Sequence, residues 1–209
     1  MMRDRWTPAW RATRLEMAAS MPGDELISRA RYRSTHAITI DARPDDVWPW
    51  LVQMGQGRGG LYSYDWLENL LGLHIHSADR IDPDLQSLAV GDVIRLVPEG
   101  TQPPLRFVVA RLEQRALLVL GPDKARAQAF AEHLPHPCWT FQLTAVGVEQ
   151  CRLVVRFQAD FAPTPLGWVA YKYALRPVHF VMERKMMLGI KDRAERSLSS
   201  ARPAERQGS

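Results

Sequence analysis

The stretch QMGQGRGGLYSYDWLENL, Gln53 to Leu70, sets Gly55, Gly57 and Gly60 at the spacing G-x-G-x-x-G. Among and after these glycines stand Arg58, Tyr62, Tyr64, Asp65 and Glu68. In a dinucleotide fold such glycines let backbone N–H groups cradle a pyrophosphate at a helix N-terminus. That chemistry needs a buried parallel strand before the first glycine and an acid about 20 residues on, closing a second strand. Here the preceding segment, ARPDDVWPWLVQM, has the period of an amphipathic helix, so the glycines are expected to form a tight loop between two helices. They supply positive φ and close approach. The loop's side chains are still chemically able. Arg58 offers a bidentate fork for a carboxylate or enolate, and Tyr62 or Tyr64 a donor for a developing oxyanion. The competing expectation, which is favoured, is that Arg58 and Asp65 or Glu68 brace the loop against the sheet, because loops must satisfy their own polar groups. Asp65 also suits a helix cap.

Two histidine clusters follow. HIHSAD holds His74, His76 and Asp79, and HLPHPC holds His133, His136 and Cys138. Imidazole and thiolate suit zinc, but neither spacing matches a zinc signature and the two would have to meet in space. No metal site and no cofactor is expected. Nucleophile elbows, Ser-His-Asp orders and P-loop lysines do not occur.

Positioning these residues requires a fold, and the composition bounds it. The chain has 209 residues, 46% hydrophobic and 24% charged. That is the make-up of a globular domain large enough to hold a core and a ligand cavity. No uncharged apolar run approaches the roughly 18 residues of a spanning helix, and the N-terminus lacks a signal-peptide h-region, so a cytoplasmic location is expected. A net charge of +4 without a concentrated basic stripe argues against nucleic acid. Cys138 and Cys151 fall on neighbouring strands out of register with each other, and free thiols are expected.

STHAITI, from Ser34 to Ile40, alternates and is rich in β-branched residues, with His36, Ile38 and Ile40 on one face; it reads as the first strand. A short or kinked helix follows from Pro44, with Pro49 inside it. SYDWLENLLGL reads as a second short helix. The runs 93–97, 105–113, 116–120, 138–146 and 151–161 read as antiparallel strands. In the last two, Trp139, Phe141, Leu143, Leu153, Val155 and Phe157 share one face, while Thr140, Gln142, Arg152, Arg156 and Gln158 face away. The remainder is helical, with an apolar stripe through Leu166, Val169, Ala170, Tyr173, Val178, Val181 and Leu188, and Pro177 is expected to kink or divide it.

This order is α+β: a curved sheet of about six strands whose apolar face only the terminal helix can cover. The chain resembles the helix-grip superfamily of START lipid-transfer domains, polyketide cyclases and plant ligand binders (SRPBCC). The resemblance covers about Ser34 to Arg196. It is carried by ITIDARPDDVWPWL, and by QMGQGRGGLYSYDWLENLLGLHIHSADRI and HFVMERKMMLGIKDRAE, which are similar to a bacterial branch. The implied domain is 34–198, with residues 1–33 as an N-terminal extension and 199–209 as a tail.

The resemblance implies an apolar pocket between sheet and long helix, of about 300 Å³ or more, that takes a small hydrophobic or aromatic molecule. Trp139, Phe141, Leu143, Phe157, Val169, Tyr173, Met182 and Met186 are the expected lining. A cyclase, aromatase or dehydratase is the alternative, with catalytic candidates Arg58, Tyr62, Tyr64, Asp65, Glu68, His74 and Glu183. A third reading is an interaction or membrane-surface module using the basic terminal helix, against which its acids Glu183, Asp192 and Glu195 argue. No signature in the sequence marks an oligomeric state.

Overall fold

The computed structural model describes residues 9–65, 69, 76–101, 105–123, 136–160, 164, 173 and 176–201. Seven strands form a mostly antiparallel sheet: β1 (Ala9–Trp10), β2 (Tyr32–Ile40), β3 (Val93–Arg95), β4 (Arg106–Glu113), β5 (Leu117–Pro122), β6 (His136–Ala145) and β7 (Cys151–Asp160). Their spatial order is β1-β2-β7-β6-β5-β4-β3, so the first long strand pairs with the last and the intervening strands run as a meander. The architecture is α+β in helix-grip arrangement, with one face of the sheet packed against the long helix Arg176–Ala201.

Period-2 alternation decides the faces. Ile38 and Ile40 on β2, Leu153 and Val155 on β7, and Trp139, Phe141 and Leu143 on β6 all enter the core with Met186, Met187 and Ile190 of the helix. Register holds this alignment: Trp139 lies opposite Phe157, and Phe157 opposite Ser34. Cys138 lies opposite Gln158 and Cys151 opposite Ala145; both thiols are free and buried. Burial pushes them up to about 12 and about 11.

Helix α1 (Arg14–Ala18) is fixed by a capping box between Thr13 and Glu16. Helix α2 (Pro44–Val52) starts at Pro44, where a missing N–H costs nothing, and continues through Pro49 as one helix. The second short helix expected over residues 63–73 lies largely outside the described residues.

Pro177 stands second in the described helix Arg176–Ala201, and most of the chain before it, where the expected kink or division would show, lies outside the described residues. One expectation is corrected. Val178 and Val181, placed on the buried stripe, are exposed. The buried face instead runs through Glu183, Met186, Met187, Ile190 and Ala194, an i, i+3, i+4 series headed by a carboxylate.

The residues that face away from the helix are not all open to solvent. Residues 11–31 lie across the outer face of β6 and β7 as a strap. The Arg156 guanidinium, its side chain fully buried, donates to the carbonyls of Glu16, Met17 and Ala19, to Asp24 and to Thr35. Arg152 pairs with Glu16, Gln158 donates to Asp24, and Thr140 to the Pro22 carbonyl.

Candidate functional site

Tyr32, Ser34 and His36 alternate on the helix-facing side of β2, continuing the line of Ile38 and Ile40. Strand β7 sets Phe157 opposite Ser34 and Val155 opposite His36, and β6 sets Trp139 beside Phe157. Above them the helix presents His179 and Glu183, one turn apart at the N-terminal end of its inward stripe. Polar groups from three elements thus meet inside an aromatic wall.

Glu183 is the hub. Its Oε1 accepts from Trp139 Nε1–H at 3.0 Å, and its Oε2 lies 3.0 Å from His36 Nδ1 and 3.4 Å from His179 Nδ1. The side chains of His36 and Glu183 are 0% and 1% exposed, and that of His179 is 22% exposed. The His179 and Phe157 rings are tilted 41° to each other with centroids 4.1 Å apart, and His179 lies 6.0 Å from Trp139 and 6.3 Å from Tyr32. Phe180 meets the His36 ring edge-on at 5.4 Å.

Burial alone would raise the Glu183 carboxyl, but the His179 and His36 imidazoles and the Trp139 N–H outweigh it and hold the group below its ordinary range. Glu183 is therefore a carboxylate. Burial pushes His179 down, against the pull of Glu183. Burial likewise raises the Tyr32 phenol, which stands near Ser34.

An ionised carboxylate only accepts, so the His36 nitrogen facing it carries the proton. In a neutral ring that fixes the tautomer, with Nδ1–H donating to Glu183 and the lone pair on Nε2. His36 Nε2 is buried and has no hydrogen-bond partner among the described residues. The arrangement is an imidazole oriented from behind by a carboxylate, with its basic nitrogen unspent.

The glycine loop does something different. Gly55 and Gly60 exchange backbone hydrogen bonds of 2.8 and 3.0 Å, closing a tight hairpin. Gly60 has φ +77°, and a Cβ there would come 2.7 Å from the His76 carbonyl oxygen. Arg58 Nη2 donates to the carbonyls of Val52 (3.1 Å) and Leu85 (2.9 Å). Asp65 accepts from both the backbone N–H and the hydroxyl of Ser77. Tyr62 is buried against Trp50, its ring beneath the Arg193 guanidinium, and burial pushes its phenol up to about 12. Ser63 donates to the Met182 carbonyl, and Tyr64 carries the Lys185 ammonium over its ring. Arg58 and Asp65 are committed to bracing, and the loop ties α2 to the terminal helix. A methyl group at Gly189 would collide with the Tyr62 carbonyl oxygen, which fixes how closely loop and helix meet.

Of the other expected positions, Trp139, Phe141, Leu143 and Met186 are buried in the main core, and Phe157 packs against it. Met182 is half-buried, and Tyr173 is 70% exposed. Glu68, His74 and Val169 lie outside the described residues. Asp79 is ion-paired with Arg193, and Cys138 faces the strap on the opposite side of the sheet. No three such groups among the described residues are placed to hold a metal ion. His36 and His179 were missed as site residues. Their signals were slight: a histidine on the apolar face of a strand, and the i, i+4 pair His179 and Glu183 on one helix face.

No family model matches the chain, and no curated protein sequence does. Solved structures are similar in fold at low identity. A norcoclaurine synthase point mutant from Thalictrum flavum, in complex with a transition-state analogue, is 14% identical with a TM-score of 0.48, covering 79% of this chain and 94% of that one. A conserved protein from Geobacillus kaustophilus is 11% identical with a TM-score of 0.47, covering 79% and 96%. The Aha1 dimer from Colwellia psychrerythraea is 18% identical with a TM-score of 0.40, covering 77% and 93%. Among the described residues no helix is long and apolar enough to cross a membrane.

Proposed function

We propose that this protein binds a small, uncharged aromatic or apolar molecule between the inner face of its sheet and the terminal helix. The ligand's body lies against Trp139, Phe157 and His179, with Phe141, Leu143, Met182 and Met186 forming the apolar surroundings. Its one polar donor meets His36 Nε2. The observation that carries the reading is that nitrogen, a buried acceptor without a partner among the described residues. An unsatisfied buried polar atom costs about 1–3 kcal/mol, and a ligand hydroxyl would recover it. A carrier of helix-grip type, as the sequence resemblance implies, would use the same side of the sheet.

Titration with 1-naphthol, followed by amide shifts in two-dimensional NMR, tests this. Shifts concentrated at Ser34, His36, Trp139, Phe157 and His179 are expected. Saturable binding centred elsewhere, or none, overturns the reading.

A further inference from the structure

We infer that His36, positioned by Glu183, is a general base that takes the acidic proton of an uncharged phenol seated between sheet and helix. This rests on the seat proposed above and adds a reaction to it. Three features of the geometry converge. Trp139 Nε1–H and His36 Nδ1 hold the two oxygens of Glu183 from different strands, at 3.0 Å each, so the carboxylate cannot rotate away from the imidazole. In the neutral ring the carboxylate side is the proton-bearing side, and the lone pair stands on Nε2. That nitrogen is fully buried beside aromatic surface and spends itself on no partner among the described residues.

The step balances without a co-reactant. The phenolic O–H bond breaks with its electron pair left on oxygen, a new N–H bond forms at Nε2, and His36 becomes an imidazolium between the phenolate and the Glu183 carboxylate. The site's net charge is unchanged, since one neutral pair becomes one ion pair. That is what makes the transfer tolerable in a buried site, where an unpaired charge is expensive. The charge environment also selects the substrate class. A ligand already carrying a carboxylate would meet Glu183 across a low-dielectric gap and be disfavoured, whereas a neutral phenol would not. The other titratable groups facing this point are His179, pushed down by burial, and Tyr32, whose phenol is raised by burial; Arg176 acts on it from the helix. His179 Nδ1 is also buried without a hydrogen-bond partner among the described residues, but it lies on the Glu183 side of its ring, 3.4 Å from Oε2. His36 touches the reacting proton in this scheme, and Glu183 acts through it.

The test uses p-nitrophenol, whose phenolate absorbs in the visible, at about pH 6 where the free phenol is largely protonated. Binding is read separately from amide shifts. The expected result is a phenolate band that grows with occupancy to several times its value in free solution. His36→Gln should keep the binding and lose the band. Glu183→Gln should also lose the band, with the His36 side-chain ¹⁵N signals showing the proton moved from Nδ1 to Nε2, a change that a purely structural role would not produce. Phe157→Leu should weaken binding but keep the band per bound molecule. Binding without a phenolate band, or a band that survives His36→Gln, overturns the base assignment while leaving the seat intact. Absence of binding overturns the seat and the base together.

Discussion

Replacing Glu183 with glutamine changes one atom at the centre of the site, and the hydrogen bonds dictate what must follow. Trp139 can only donate, so the amide oxygen of the new side chain must take the place of Oε1, 3.0 Å from the indole nitrogen. The amide NH₂ then faces His36 Nδ1 at about the former 3.0 Å. Two donors cannot share that contact, so His36 must move its proton to Nε2 and accept at Nδ1. The exchange replaces two charge-assisted bonds, about 1.5–3 kcal/mol each, with two neutral ones of about 0.5–1.5 kcal/mol. The burial cost of the lost charge offsets part of this. A net loss of about 2 kcal/mol or less is expected, which for a chain of this size lowers Tm by roughly 4–8 °C. Urea unfolding gives the stability, and long-range ¹H–¹⁵N correlation of the histidine rings gives the tautomer. If His36 keeps its Nδ1–H in the variant, or if more than about 4 kcal/mol is lost, Glu183 does not set the tautomer and the reasoning fails.

Acid should weaken the fold in two stages. His179 is held below its ordinary 6.5, so its contribution is complete above that pH and is lost as pH falls through its folded value. Glu183 is held below 4.5, so its contribution is complete above that pH and lost as pH falls through its own folded value. His179→Gln should remove the upper stage of a urea-midpoint profile and leave the lower; a profile unchanged by that substitution refutes the assignment. Arg156→Met should strand the carbonyls of Glu16, Met17 and Ala19 and cost about 3–5 kcal/mol, with limited proteolysis opening first within residues 11–31. Cleavage confined elsewhere would show that the strap is held by other contacts. Gly189→Ala should lose about 1–3 kcal/mol by driving the helix from the Tyr62 carbonyl, and a Tm equal to wild type would contradict that packing.

The sheet was legible because alternation is a local property. Trp139, Phe141 and Leu143 announce one face within five residues, and the six longer runs all became strands. The strap was not legible, because what covers Arg156 is a segment more than a hundred residues earlier whose own sequence carries only short local signals, such as the Thr13 and Glu16 capping box. In the terminal helix the apolar letters Val178 and Val181 suggested one stripe, yet the buried stripe starts with Glu183. A carboxylate belongs inside only once its partners are known. Those partners explain the site's partial legibility as well. Glu183 was named among the candidates, but His36 stands 147 residues away on a strand where its ring reads as one more member of an apolar face. The glycine loop drew attention through its letters, and its chemistry went to backbone carbonyls and Ser77.

The central claim is that a ligand meets His36 Nε2 between sheet and helix. Long-range ¹H–¹⁵N spectra of the histidine rings, recorded with and without saturating 1-naphthol, test it most directly. The account predicts that the free protein shows His36 with Nδ1 protonated and Nε2 bare, and that 1-naphthol moves the Nε2 resonance toward its hydrogen-bonded position while Nδ1 stays protonated. Binding of 1-naphthol with the Nε2 resonance unmoved, or a free protein whose Nε2 already carries the proton, would contradict it.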